Sequence, residues 1–383
     1  MKIKILLIPV FFLLVLTACD NRNTKKETVT AESGNSETAS SEIDIKYAKG
    51  FKVKDVGTYR LVDVQDPLGE SALTYHYAFV PRGEKPNDIP AKYTIIETPI
   101  RRVVCMTALQ MSNFIKLEQT DKIVGISSTR FLFNEKIKQQ LEQNKTSRIG
   151  IEGNFDNEVI LAINPDIILV SPFKKGGYDA IKNLGFPLVT FLGYKESSPL
   201  GQAEWIKFTA MLLGIEEQAN RQFNEIEQRY NELKNLAAKA SPRPTVLSGE
   251  LHGGNWYVVG GKSYLAHLFE DAGGDYFMQN DNESGGFYVD FETVYSQGAD
   301  TDFWRIVNSF DGEFSYKALQ QTDARYTDFK AFKNKKVIYC SLRNKPFYEN
   351  TPVEPEVVLA DLIKAFHPDL LPDYTPVYYE VLP

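Results

Sequence analysis

Cysteine and histidine are scarce in this chain, at three and four of 383 residues. Three cysteines close at most one disulfide, which excludes a disulfide-built scaffold. The histidines, His76, His252, His267 and His367, are scattered. No stretch gathers three of them with a carboxylate, the set a bare zinc or manganese ion would need. An excess of basic charge is also missing. There are 43 Lys+Arg against 50 Asp+Glu, a formal net charge of −7, which argues against a nucleic-acid partner that would need a basic face. No apolar run reaches the ~20 residues that span a bilayer. Catalytic signatures are absent: there is no Gly-x-Ser-x-Gly and no His-Glu-x-x-His. Gly261-Lys262-Ser263 ends like a phosphate loop, but Trp256 stands where that loop needs glycine. Asp300 and Asp302 read as a solvated loop pair rather than paired catalytic acids.

What is present starts at the N-terminus. Lys2 and Lys4 precede an apolar run, 5–16, and then Leu16-Thr17-Ala18-Cys19. The pattern is that of a secretory signal, and the cysteine at the cut site resembles a bacterial lipobox. That resemblance implies a signal peptide over 1–18, lipidation of Cys19 and an exported protein held on the cell envelope, facing the periplasm or the extracellular side. Two or more acyl chains anchor stably. An ordinary signal with an incidental cysteine is the alternative. Without Lys2 and Lys4 the net charge is about −9, from 41 against 50, which suits docking onto a basic surface. Cys105 and Cys340 sit in strand-like runs and read as buried free thiols, with one bridge between them as the alternative.

Residues 19–44 are rich in Thr, Ser, Glu and Asn and read as a flexible tether behind the lipidated cysteine. Strand-like pieces at 51–64, 73–80 and 93–96 suggest an N-terminal β-strand extension over 45–99, antiparallel in character. From residue 100 the grammar changes. Continuous apolar runs at 103–106, 123–126, 167–170 and 188–191 alternate with helix patterns at 109–117, 158–162 and 178–184. Such alternation predicts a parallel sheet covered on both faces, an N-lobe over 100–200. Trp205, Phe208, Leu212, Ile215, Ala219, Phe223, Ile226, Tyr230, Leu233 and Ala237 then recur at helical steps as one stripe. They mark a bridging helical segment over 201–241, broken at Gly214, whose second part to Ala240 would measure about 37 Å. The alternation restarts in 242–383, a C-lobe with a closing helix at 357–366. The expected fold is α/β: two lobes, each a parallel-rich sheet flanked by helices, joined by one long backbone helix.

Several segments together resemble the helical-backbone (class III) substrate-binding proteins of ATP-binding-cassette (ABC) importers for iron–siderophore, haem or cobalamin. They are Arg102-Val103-Val104, Lys122 through Ile126, Glu158 through Leu169 with Asn164-Pro165-Asp166 inside it, and Gly260-Gly261-Lys262-Ser263 through Asp271-Ala272-Gly273-Gly274-Asp275. The resemblance covers roughly 100–370 and implies a ligand held between the lobes, handed on unaltered by a monomeric, non-enzymatic protein with no cofactor of its own. Loops at the carboxyl ends of strands, where open α/β sheets place ligands, supply the candidates. These are Thr107, Arg130, Phe155, Phe173 and Tyr194 from the first lobe. From the second come His252, Trp256, Trp304, Arg305, Arg343 and Tyr348. Aromatic faces would press on a bulky chelate and arginines fork onto its oxygens. The plainer alternatives are a core role for each aromatic, a surface salt bridge for each arginine and an ordinary hydrogen-bonding loop residue for His252. The resemblance also implies that Glu158 and Asp275 meet basic residues of the permease. Two further function readings stand beside this one. The chain is then an exported lipoprotein hydrolase without a motif-level active site, or a lipoprotein that scavenges metal complexes without feeding an importer.

Overall fold

The computed structural model describes residues 44–151, 153–172 and 177–383. Cys19, the signal-like run before it and Phe173 lie outside the described residues.

The strands Phe51–Asp55, Arg60–Gln65 and Thr74–Pro81 pair antiparallel in a four-stranded sheet, and Thr94–Thr98 joins alongside the third in parallel. The stretch read as one strand over 51–64 is a hairpin. Gly57, at φ 91°, makes the turn, in the left-handed region that glycine enters freely.

The N-lobe is a five-stranded, all-parallel sheet in the order Leu188–Thr190, Ile167–Val170, Val103–Cys105, Ile123–Ile126, Ser147–Arg148. Its three central strands are buried at every residue, as continuous apolar runs between two helical layers must be. The C-lobe sheet runs Asp275–Tyr276, Thr245–Ser248, Phe303–Asn308, Val337–Ser341, Glu380–Val381, parallel except for the last strand. Residues 303–305, expected in a cleft loop, instead begin Phe303–Asn308, the central strand of the lobe. Arg305 interrupts its apolar run and hides it from a pattern search. The segment around His252 and Trp256, expected as loop, is likewise a hairpin. Leu251–His252 pairs with Asn255–Val259, which Gly286–Val289 extends into a three-stranded antiparallel sheet. Cys105 and Cys340 are free and buried.

Two helices link the lobes. Pro199–Leu213 starts with Ser198 accepting from the Gly201 N–H and ends at Gly214, φ 68°. Glu216–Ala237 follows with 22 residues, about 33 Å long. Only the second shows a one-sided stripe: Ala219, Phe223, Ile226, Tyr230, Leu233 and Ala237 are buried. The first is buried on nearly every side, because the N-terminal sheet covers the face that the stripe would leave to water. Phe51 packs edge-on against Trp205 and Phe208, with centroids 4.9 and 5.5 Å apart. The Tyr77 hydroxyl also caps the edge strand of the N-lobe, donating to the Leu188 carbonyl at 3.2 Å and accepting from the Thr190 N–H at 2.8 Å.

Two buried carboxylates fasten the segment that leads into the sheet. Glu204 is fully buried and accepts from the backbone N–H groups of Lys46, Tyr47 and Ala48 at 2.6–2.9 Å and from the Lys207 ammonium at 2.7 Å. Glu196 accepts from the Lys49 and Gly50 N–H groups and from the Trp205 indole. Removing one partner of a buried pair leaves the other charge uncompensated, at a cost of about 3–5 kcal/mol. Glu204→Ala is therefore expected to lower unfolding stability by about that amount in denaturant titrations, and Glu204→Gln by less.

Glu356, near the start of the closing helix Pro355–Phe366, is buried and its Oε2 has no hydrogen-bond partner among the described residues. Burial pushes its carboxyl up from 4.5 to about 7. A carboxyl raised in the folded state holds its proton there while the unfolded chain has released it. Its contribution is thus complete below about pH 4.5 and is lost as pH rises through about 7. The difference is about 3 kcal/mol. Glu356→Gln is expected to flatten the stability profile between pH 5 and pH 8 and to be the more stable protein at pH 8, as read from denaturation midpoints.

Candidate functional site

A cavity of about 450 Å³ is shared by the two lobes, within the range of small-molecule sites. The N-lobe supplies Thr107, Ala108 and Leu109, with Tyr194 and Gln202. The C-lobe supplies Tyr264, Leu265 and Leu268 from the helix Tyr264–Asp271, Arg305 from the central strand, and Phe347, Tyr348 and Tyr379 opposite them. Two larger recesses, of about 1120 and 720 Å³, flank the N-terminal sheet. Neither reaches the C-lobe, and both border stretches outside the described residues.

Local sequence explains how each wall is held. Thr107 caps the helix Ala108–Lys116 in a reciprocal box with Gln110, and the Gln110 amide donates to the Ser171 hydroxyl at 2.9 Å. The positive end of that helix thus opens on the cavity. Tyr194 rides a short 3-10 turn, Gly193–Lys195, and donates to the Pro172 carbonyl at 3.2 Å. On the other side, the Asp361 carboxylate accepts from the N–H groups of Val377, Tyr378 and Tyr379 at 2.6–2.9 Å and from the Tyr374 hydroxyl at 2.7 Å. It seats the C-terminal segment so that Tyr379 faces Arg305. Between the lobes, the buried Glu349 carboxylate accepts from the Phe133 and Asn134 N–H groups at 2.7 and 2.9 Å. Burial pushes its carboxyl upward.

Electrostatically the cavity is unbalanced. The Arg305 guanidinium donates through Nε and Nη2 to the Tyr379 hydroxyl, at 3.0 and 2.6 Å, and through Nη1 to Ser248 Oγ at 3.4 Å. It forms no ion pair with a carboxylate among the described residues. Buried charges are ordinarily paired, so a half-buried guanidinium that meets only hydroxyls is poised for an anion. The phenols around it stay neutral: burial pushes the Tyr194 hydroxyl up to about 12 and raises Tyr264 and Tyr379 further. Among the described residues no three His, Cys, Asp or Glu side chains converge to hold a bare metal ion.

Of the residues chosen from sequence, Thr107, Tyr194, Arg305 and Tyr348 meet at this cavity. The others do not. Trp256 and Trp304 are fully buried in the C-lobe core, with rings 5.6 Å apart and indoles donating to the Ser248 and Gly249 carbonyls. Both belong to strands whose inward positions fill that core. His252 is exposed on the hairpin, 3.9 Å from Glu250. Arg343 is turned to the Ser309 carbonyl and Asp311. Phe155 stacks on Tyr178, centroids 6.1 Å apart, in the N-lobe. Arg130 is exposed, with its guanidinium over the Phe131 ring. Tyr264 and Tyr379 were missed by sequence reasoning. Tyr264 is the first helical residue after Ser263, and Tyr379 belongs to a tail with three tyrosines in its last ten residues, a clustering that could have pointed to it.

The family model described as periplasmic binding protein matches residues 103–342. An uncharacterized lipoprotein of Methanocaldococcus jannaschii is 26% identical over 291 residues, 72% of this chain and 67% of its own length. A second from that organism is 24% identical over 352 residues, 88% of this chain and 86% of its own. Among solved structures, a periplasmic haem-binding protein of Pseudomonas aeruginosa superposes with a TM-score of 0.58 at 20% identity, covering 73% of this chain and 96% of that one. A TroA-like periplasmic binding protein, FepB of Veillonella parvula, gives 0.56 at 18% identity, over 75% and 96%. At these identities the superpositions speak for the fold. The family match spans well over half of the sequence, and the chain belongs to the periplasmic binding protein family, which binds solutes rather than transforming them.

Proposed function

We propose that the interlobe cavity captures a coordinatively saturated, anionic iron chelate of the ferric siderophore class, and that the protein delivers it to an ABC importer. The observation that carries this reading is Arg305, a half-buried guanidinium paired only with hydroxyls in an aromatic cavity formed by both lobes. The positive end of the helix Ala108–Lys116 adds to the same preference. Haem fits less well. No histidine lines the cavity to ligate its iron. A chelate whose iron is already fully coordinated asks for none.

Delivery would use Glu158 and Asp275. Glu158 is exposed in the first turn of the helix Asn157–Ile163 and makes no ion pair among the described residues. Asp275 is half-exposed beside Arg243, at 2.8 Å. Separated carboxylates of this kind orient and steer a partner more than they add affinity. Lipidation of Cys19 would hold the protein at the envelope. The relatives named lipoproteins support that anchor, and no helix of the described residues is long and apolar enough to cross a membrane.

Calorimetric titration against ferric siderophores, hemin and cyanocobalamin tests the ligand. A ferric siderophore should bind one to one, and Arg305→Ala should weaken it about 10- to 100-fold, the worth of a charge-assisted hydrogen bond. Binding of hemin or cyanocobalamin with no ferric siderophore bound would refute the assignment. For delivery, the Glu158→Ala, Asp275→Ala double variant should bind normally and lose uptake in cells. Undiminished uptake would remove these carboxylates from the docking surface.

A further inference from the structure

The two bridging helices are separate rods. Between Leu213 and Glu216 the chain passes through Gly214 at φ 68°, and no described side chain caps the start of the second helix. Breaks of this kind, a few residues at element ends, are where one rigid part turns against another. Lobes of one chain move relative to each other unless a contact restrains them. The N-terminal extension spans this break.

One side of the extension is fixed to the N-lobe. Besides the Tyr77 cap on the edge strand, Lys195 pairs with Asp66 and Glu70 at 2.6 and 3.1 Å, and Arg82 reaches Asp166 at 3.4 Å. Its leading segment lies directly on the first bridging helix: a Cβ at Gly50 would meet the Trp205 ring at 2.7 Å.

The extension also reaches past Gly214 to the second helix, at two places. The Arg60 guanidinium pairs with Glu216 in the first turn. Further along, Glu227 takes the Lys46 ammonium at 3.1 Å and the Tyr47 hydroxyl at 2.7 Å, and the Tyr47 ring lies 6.1 Å from that of Phe223. The two places are about 16 Å apart along the helix axis, so together they set its direction. A second tie to the N-lobe comes from Gln218 and Gln222, which donate to the Leu117 and Lys116 carbonyls at 3.1 Å. The far end of the helix is bound into the C-lobe, where Asp271 accepts from the Tyr230 hydroxyl at 2.7 Å and pairs with Lys234 at 2.8 Å.

We infer that the N-terminal extension is a splint: through Arg60, Lys46 and Tyr47 it holds the second bridging helix to the N-lobe across the Gly214 break, and so limits how far the lobes can part. Each of these partly exposed links is weak alone. Their spacing along one helix is what lets them resist rotation of that helix about the break.

Amide hydrogen exchange on the full chain, with no ligand added, tests the splint. The Phe133 and Asn134 N–H groups are held by Glu349 from the opposite lobe, so their exchange reports separation of the lobes. In a Lys46→Ala, Tyr47→Phe, Arg60→Ala triple variant they should exchange about three- to tenfold faster. The central strands Val103–Cys105 and Phe303–Asn308 should keep wild-type rates. Unchanged exchange at Phe133 and Asn134 would overturn the inference. An equal acceleration in the central strands would overturn it as well, because the extension would then add only global stability. If circular dichroism shows that the triple variant does not fold, Arg60→Ala and Tyr47→Phe alone carry the same comparison, with a smaller acceleration expected from each.

Discussion

Buried carboxylates that accept backbone N–H groups are the constraint on which this architecture depends. Glu204 and Glu196 take five such groups from residues 46–50 and fasten the N-terminal extension to the helix Pro199–Leu213. Asp361 takes three from residues 377–379 and seats the C-terminal segment. Glu349 takes two across the interlobe boundary. In each case a short irregular segment has no strand or helix to satisfy its donors, and a buried carboxylate does so with charge-assisted bonds. The arrangement is costly to desolvate, which is why burial raises the carboxyls of Glu196, Glu349 and Asp361. It therefore specifies conformation more than it adds net stability.

The same clasps build the interlobe cavity. Asp361 brings Tyr379 to Arg305, so the guanidinium finds a hydroxyl instead of a carboxylate. Glu349 ties the loop around Phe131 to the short helix Phe347–Asn350, whose Phe347 and Tyr348 line the opening. The helices Pro199–Leu213 and Glu216–Ala237 run between the lobes. The cavity is lined mainly by apolar and aromatic side chains, with the Arg305 guanidinium meeting only hydroxyls.

Much of the fold was legible. The runs at 103–105, 123–126, 167–170 and 188–190 are strands because consecutive apolar residues suit a sheet covered on both faces. The break at Gly214 was equally plain. The site was less so. Arg305 and Tyr348 were chosen for their chemistry and stand at the cavity, whereas Trp256 and Trp304 carried the same chemical appeal and are core. Alternation within a strand decides which side chain turns inward, and the strand Phe303–Asn308 was concealed by its own arginine.

By itself the amino-acid order determined the class of fold and an acidic, histidine-poor composition. Periodicity and composition are local properties, readable without neighbours. Tertiary structure alone decided that the helix Pro199–Leu213 is covered on nearly every side, that Tyr379 reaches Arg305 from 74 residues away, and that Glu349 bridges 216 residues to Phe133. Those pairings arise where distant segments close around unsatisfied donors and charges, and no local pattern records which segments will meet.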